Sequence, residues 1–394
     1  MQAIRPNASE NADVAIVGAG LIGLAIAFEL AGRGATVRLY DRGEPARAAS
    51  WAGAGMLAPY TEHASDDALL ALCAASLHEY PHFVDRVRQA GQVDPHLRLN
   101  GIVHAGFGQE QFTRLKEWQR DLRGRGIDCE IVDRAGALVA EPWLGAHVSG
   151  ALLVAGEGCV DNRRLGRALV AACRERGVAV SRVSRLAVET DRRRVLGVRT
   201  DLGFTPAGAV INAAGAWAGR IDGIPASSLP PVVPRKGQML ALETPIGFVR
   251  HATWIGGGYV VPRDDGRLLV GATDESAGFD VRVTAGGVAG LLGPLLSAAP
   301  ALAGFTISET WAGLRPGSTD GRPFIGPTPL GGLFVAAGHY RNGILLAPIT
   351  ARLVCECVDG NRPPEAAAFA LETARSSSAA AEMETAPTGA NGSS

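Results

Sequence analysis

The sequence contains no C-x-x-C pair and no excess of either charge, and no apolar run approaches the roughly 20 residues that span a bilayer. Each absence removes a class of protein. The six cysteines are scattered at 73, 129, 159, 173, 355 and 357, so they read as reduced packing thiols, and no metal site is expected. A net charge of −1 offers no broad basic field, so neither nucleic acid nor a membrane is an expected partner. The arginine cluster "DRRRV" at Asp191–Val195 reads as a solvated turn between strands. The first residues lack the charged-then-apolar pattern of a secretory signal, and the expected location is cytoplasmic. From Ser376 the composition cannot bury apolar surface, and residues 373–394 are expected to form a disordered tail.

What remains is a chain of 394 residues, 47% hydrophobic and 20% charged, long enough for two domains with a sizeable core. Strand–helix–strand alternation starts at once: "VAIVGAG" reads as a buried strand, "LIGLAIAFELAGRG" as a helix closed by glycine, and "TVRLYD" as a second strand. Helical periodicity returns over 67–89 and 109–125. From Pro230 the texture changes, and "GYVVPRDDGRLLVGATDE" reads as two strands joined by a "DDG" turn, with Arg263 and Arg267 flanking that turn and read as solvated. The α/β style then resumes in "LFVAAGHYRNGILLAPITARLVCECV". An α/β half interrupted twice by sheet-rich insertions is expected.

Gly18, Gly20 and Gly23 form G-x-G-x-x-G directly after the first strand and at the head of the first helix. The first glycine permits the tight turn, the second lets a pyrophosphate approach the backbone, and the third allows close helix–strand packing. The second strand ends at Asp41, where a carboxylate can accept hydrogen bonds from an adenosine ribose. The fingerprint alone does not separate NAD from FAD. Three features favour FAD: the N-terminal position, the small-residue stretch "ASWAGAGMLAP" (Ala49–Pro59), and a second anion-seeking feature near the far end of the chain. That feature is "GHYRNGILLAP", Gly338–Pro348, read as a loop carrying Arg341 and Asn342, with a helix opening at Gly343.

These segments together resemble the D-amino-acid oxidase superfamily of flavoproteins, and within it the glycine oxidase type of thiamine biosynthesis. "AGAGMLAP", "GYVVPRDDGRLLVGAT", "TWAGLRPGSTDGRPFIGPTP" and "AAGHYRNGILLAPITA" carry the likeness, in order, over residues 12–372. The resemblance implies a Rossmann-like FAD-binding domain (12–85, 150–222 and 310–372) with an inserted antiparallel-sheet substrate domain (86–149 and 223–309), an α/β fold of the D-amino-acid oxidase type. It implies that the helix start at Gly343 faces the pyrimidine end of the flavin, whose reduction brings negative charge there. By the same resemblance Leu21 and Ile22 flank the pyrophosphate turn, Asp41 and Arg42 handle the adenosine end, and Ala49 and Ser50 meet the phosphates. Ala54, Gly55 and Met56 line the ring, and Val183 supplies backbone contact to adenine. His339, Arg341, Asn342, Gly343, Ile344 and Leu345 close over the flavin. The region "GSTDGRPF" has no cysteine of the kind that attaches flavin in sarcosine-oxidase relatives, so the FAD is expected to be non-covalent.

On the substrate side, Arg315 lies in "GLRPG", directly before a proline and within two residues of a glycine on either side, and reads as a loop residue whose guanidinium grips a carboxylate bidentately. Tyr259 is the expected second carboxylate partner, and Arg341 belongs either to the substrate site or to the flavin loop. His251 and Trp254 are weaker pocket candidates. Asp274 departs from the type, which has an apolar methionine there; it either engages a substrate ammonium group or turns away. The implied reaction is FAD-dependent oxidation of glycine, and of sarcosine or small D-amino acids, with O2 as acceptor. Its products are glyoxylate, ammonia and hydrogen peroxide, supplying thiazole formation for thiamine. The competing reading is a D-amino-acid dehydrogenase with a different electron acceptor. A homo-oligomer is implied by the resemblance alone.

Overall fold

A computed structural model of the chain describes residues 11–62, 66–145 and 147–371; the expected tail lies outside them. Two eight-stranded sheets organise the molecule. The first has the order Phe324–Pro327, Leu333–Ala337, Gly203–Asn212, Ala12–Val17, Val37–Asp41, Ala179–Arg182, with the strands Leu186–Thr190 and Val195–Thr200 attached beside Gly203–Asn212. Its central pairings are parallel, as crossover helices require. Both of its faces are covered, and the strand Ala12–Val17 shows this in its alternation. Val14 and Ile16 enter a cluster with the helices Leu21–Gly32, Asp67–Gly91, Asn162–Glu175 and Ala347–Val358, while Ala15 and Val17 enter a separate cluster on the opposite side. The helix Leu21–Gly32 is buried on almost every side, which explains why its sequence is apolar all round.

The second sheet runs Ile307–Gly317, Val233–Glu243, Arg267–Gly271, Gly258–Pro262, Ala252–Ile255, Ile102–Phe107, Val148–Val154, Cys129–Asp133, and is antiparallel except where Ala252–Ile255 meets Ile102–Phe107. The boundaries expected at 150 and 310 fall within two strands of this sheet, Val148–Val154 and Ile307–Gly317. Period-two alternation again sorts the faces. Leu240, Leu242, Val260 and Val270 pack towards the helix Ala285–Ala298, and Met239, Ala241, Val261 and Leu269 pack towards Ala52 and Ala54. The second face is the one that meets the nucleotide half.

Three local expectations are corrected. Arg315 sits in the strand Ile307–Gly317, not in a loop; that strand is the edge of its sheet, where the adjacent Pro316 removes no ladder bond on the open side. The late helix begins at Ala347, four residues after Gly343, with Pro348 in its first turn. Apolar periodicity runs through 343–346, yet that stretch is a set of turns in which Leu346 N donates to Asn342 O at 2.7 Å and Ala347 N to Ile344 O at 3.3 Å. Arg263 is not solvated: it is 6% exposed and donates to Ala54 O and Asn162 Oδ1, both at 2.8 Å. No helix among the described residues is long and apolar enough to cross a membrane.

Candidate active site

One cleft lies between the sheets, and the distant segments singled out above meet in it. Its lining includes Gly20, Leu21 and Ile22; Ala49, Ser50, Ala54, Gly55 and Met56; Tyr259; Arg315; and His339, Arg341, Asn342, Gly343, Ile344 and Leu345. Gly18, Gly23, Asp41, Arg42 and Val183 do not line it. Gly18 and Gly23 lie beneath it, where the turn is so close that a Cβ on Gly23 would stand 1.9 Å from Gly18 O. Gly18 itself has φ +109° and would set a Cβ 2.3 Å from Ala213 O. Asp41 accepts from Ala19 N and Gly43 N, at 2.7 and 2.8 Å, and so holds the loop after each of the first two strands. Val183 N donates to Asp41 O at 2.8 Å, and Arg42 is exposed, its carbonyl accepting from Arg182 Nε at 3.2 Å.

The part of the cleft beside the first glycine-rich turn is made of unpaired backbone donors. The amides of Gly20 and Ile22, at the mouth of the helix Leu21–Gly32, donate to no group among the described residues. Ser50 Oγ accepts from Leu21 N at 2.9 Å, which leaves its hydroxyl hydrogen to donate elsewhere. Elsewhere in the same lining, the amides of Gly343, Ile344 and Leu345 also have no acceptor among the described residues. Their turn is held by its carbonyls: Tyr80 Oη donates to Ile344 O at 3.1 Å and Ser76 Oγ to Leu345 O at 2.6 Å. A trans peptide sets N–H opposite to C=O, so Tyr80's hold on Ile344 O fixes the direction of Leu345 N–H.

The part of the cleft around Arg315 is made of side chains. Arg315 Nη1 donates to Thr273 O at 3.0 Å, and the guanidinium lies over Gly237, where any Cβ would meet its nitrogens at 2.5 Å. Tyr259 and Trp254 pack edge to face with ring centroids 5.1 Å apart, and both line the cleft. His251 does not reach it; its ring Nδ1 and its amide both bond the buried Glu141. Asp274 is also outside the lining. Its Oδ1 accepts from Arg235 Nε at 3.0 Å, its Oδ2 accepts from Tyr340 Oη, and Arg341 Nη2 stands 3.7 Å from Oδ2. Partial burial works against its charge, but the hydrogen bonds from Tyr340 and Arg235 outweigh that and hold the carboxyl below the usual range. Sequence reasoning gave no role to Gly237, Met239 or Tyr340, which all line the cleft; the only signal was that Tyr340 lies inside the run His339–Leu345.

No aspartate or glutamate lines the cleft among the described residues. The one histidine, His339, is buried with Nε2 3.0 Å from Thr350 Oγ1, and burial drives its pKa down to about 3, so it is neutral near pH 7. The cleft therefore offers two arginines, two tyrosines and two sets of unpaired amides, but no evident proton acceptor.

A family profile described as FAD dependent oxidoreductase matches residues 13–357. The chain belongs to the D-amino-acid oxidase family of FAD-dependent oxidoreductases. Glycine oxidase of Pseudomonas putida is 36% identical over 361 residues, covering 89% of this chain and 95% of that protein. The bifunctional protein ThiO/ThiG of Synechocystis is 37% identical over 88% of this chain and 51% of its own length. The crystal structure of glycine oxidase from Geobacillus kaustophilus aligns with a TM-score of 0.85 at 35% identity, over 92% of this chain and 98% of that one. The protein is thus an FAD-dependent amino-acid oxidase with the family's fold, and FAD is its cofactor. The unpaired amides at Gly20 and Ile22 suit the phosphates of that cofactor, and those of Gly343–Leu345 suit an electron-rich ring edge.

Proposed function

We propose that the enzyme oxidises glycine, and with it sarcosine or small D-amino acids, to the imine, which water hydrolyses; glycine then yields glyoxylate and ammonia. O2 takes the electrons and leaves as hydrogen peroxide. The observation that carries this reading is that Arg315 lines the same cleft as both sets of unpaired amides. Bound FAD supplies the hydride acceptor.

Every other role belongs to the chain. Gly20, Leu21, Ile22, Ala49 and Ser50 hold the pyrophosphate, with Asp41, Arg42 and the Val183 backbone towards adenosine. Ala54, Gly55, Met56 and the run His339–Leu345 hold the ring, and the amides of Gly343–Leu345 meet the negative charge of its reduced form. Arg315 receives the substrate carboxylate in a bidentate pair, with Tyr259 and Arg341 beside it. That pair fixes the α-carbon, and orientation is the main catalytic resource because no carboxylate among the described residues lines the cleft. The neutral amine reacts directly, without a side-chain base. The nucleotide half corresponds to residues 12–85, 150–222 and 310–372, and the substrate half to 86–149 and 223–309, except that the strands Val148–Val154 and Ile307–Gly317, which those boundaries cut, belong whole to the second sheet. The enzyme works as a homo-oligomer, non-covalently loaded with FAD, and serves thiazole formation.

Purified holoenzyme tested with glycine, sarcosine and D- and L-alanine checks the reading. Peroxide and ammonia should appear in step with glycine or sarcosine. Flavin bleached by glycine without air, but yielding no peroxide in air, would move the enzyme to the dehydrogenase reading. Flavin left unreduced by all four would end the amino-acid assignment.

A further inference from the structure

A second chamber opens beside the cleft, with His104 and Trp118 on its aromatic side, and Trp254, Tyr340, Arg341 and Asn342 line both spaces. Those shared residues form a partition. Two of them are held from the substrate sheet by Asp274, which lines neither space: its Oδ2 accepts from Tyr340 Oη and stands 3.7 Å from Arg341 Nη2. The other oxygen is anchored by Arg235 at 3.0 Å, and Arg235 is the register partner of Arg315 across adjacent strands. The partition is therefore rooted in the same strand pair as the carboxylate clamp. A further tie runs through the backbone, Tyr340 N donating to Pro316 O at 2.9 Å. Tyr340 has φ +48°, a region that costs a non-glycine residue energy and persists only when its surroundings impose it. Asp274 supplies part of that constraint.

We propose that Asp274 is a positioning residue that latches Tyr340 and Arg341 as the wall between the cleft and the outer chamber, and that this latch sets how large an amino-acid substituent the enzyme accepts. The substrate half of this inference rests on the amino-acid reading above; the latch itself does not. With the latch intact the wall confines the substrate beside Arg315. Without it, Tyr340 loses its acceptor, Arg341 loses its ion pair with Asp274 and the two spaces join. A glycine-sized substrate then loses its fit, while a bulkier N-substituent or D-side chain gains the outer chamber.

The test compares wild-type holoenzyme with Asp274→Ala, and with Asp274→Asn, which keeps shape and an acceptor for Tyr340 but not charge. Hydrogen exchange of the peptide covering 338–346 should quicken in Asp274→Ala and less in Asp274→Asn. KM for glycine should rise roughly tenfold in Asp274→Ala with kcat within threefold, the loss of about one charge-assisted contact. The ratio of kcat/KM for N-ethylglycine or D-phenylalanine to that for glycine should rise by a similar factor. Unchanged exchange in Asp274→Ala overturns the latch. Quickened exchange with an unchanged ratio overturns its role in specificity. Wild-type flavin that no amino acid reduces overturns the amino-acid reading instead, and the exchange comparison still decides the latch.

Discussion

The two ends of the cleft are built from different material. Where the cofactor is proposed to lie, the groups on offer are peptide amides, those of Gly20 and Ile22 and those of Gly343–Leu345, and side chains such as Ser50, Ser76 and Tyr80 hold their turns. Where the substrate is proposed to lie, the groups on offer are side chains, Arg315, Tyr259, Tyr340 and Arg341, with the Gly237 backbone beneath the Arg315 guanidinium. A backbone-built site tolerates many side chains but almost no change at its glycines. A side-chain-built site can be retuned one residue at a time.

The largest effect should come from breaking the backbone end. Gly23→Ala forces a Cβ to within 1.9 Å of Gly18 O, so the turn must move, and the expected outcome is protein purified without flavin, scored by its visible spectrum. Next comes the side-chain end. Arg315→Ala should keep the flavin and raise KM for glycine roughly 100-fold, the loss of a bidentate charge-assisted pair. Full activity in that variant would remove the clamp. Gly237→Ala sharpens the contrast, because its Cβ would lie 2.5 Å from the Arg315 guanidinium nitrogens, the mobile end of a side chain. A roughly tenfold rise in KM with unchanged flavin content is expected, since the guanidinium swings aside and the fold does not. Loss of flavin there would blur the division between the ends.

The smallest effect is on stability, and it comes from two histidines, His339 in the cleft and His104 in the chamber beside it. His104, stacked on Trp254 and edge-on to Trp118, and His339 are both buried, and burial pulls each pKa from 6.5 to about 3. As pH falls below 6.5 the unfolded chain takes up protons that the folded chain refuses, so stability is full above 6.5 and is lost from there towards 3. The slope approaches about 1.4 kcal/mol per pH unit for each histidine. Urea midpoints between pH 7.5 and 5 should fall accordingly, and His339→Gln should remove about half of the histidine share; an unchanged slope would mean that His339 takes up a proton in the folded state.

The nucleotide end was the more legible in sequence, for a physical reason. Glycines that permit a close turn must stand at fixed spacing, so Gly18, Gly20 and Gly23 announce their strand and helix in advance. The substrate end leaves no such spacing. Arg315 read as a loop residue because Gly313, Pro316 and Gly317 stand within two residues of it, and only the pairing of strands shows that an edge position accommodates them. Arg263 read as solvated because it borders a turn, whereas its side chain reaches back under Ala54. The start of the late helix was placed too early because turns and helices share the same apolar pattern when both are buried. Asp274 was visible only as a departure from type; Tyr340 and Arg235, which give it a task, lie far away in the chain.

The hold of Tyr80 on the Ile344 carbonyl has one further consequence. A long helix on the cofactor side acts as a jig for a peptide plane, so the neighbouring N–H is oriented when the chain folds and not when an electron arrives. With the flavin edge placed there as proposed, repeated cycles of reduction and reoxidation would need little rearrangement of the protein around the charge.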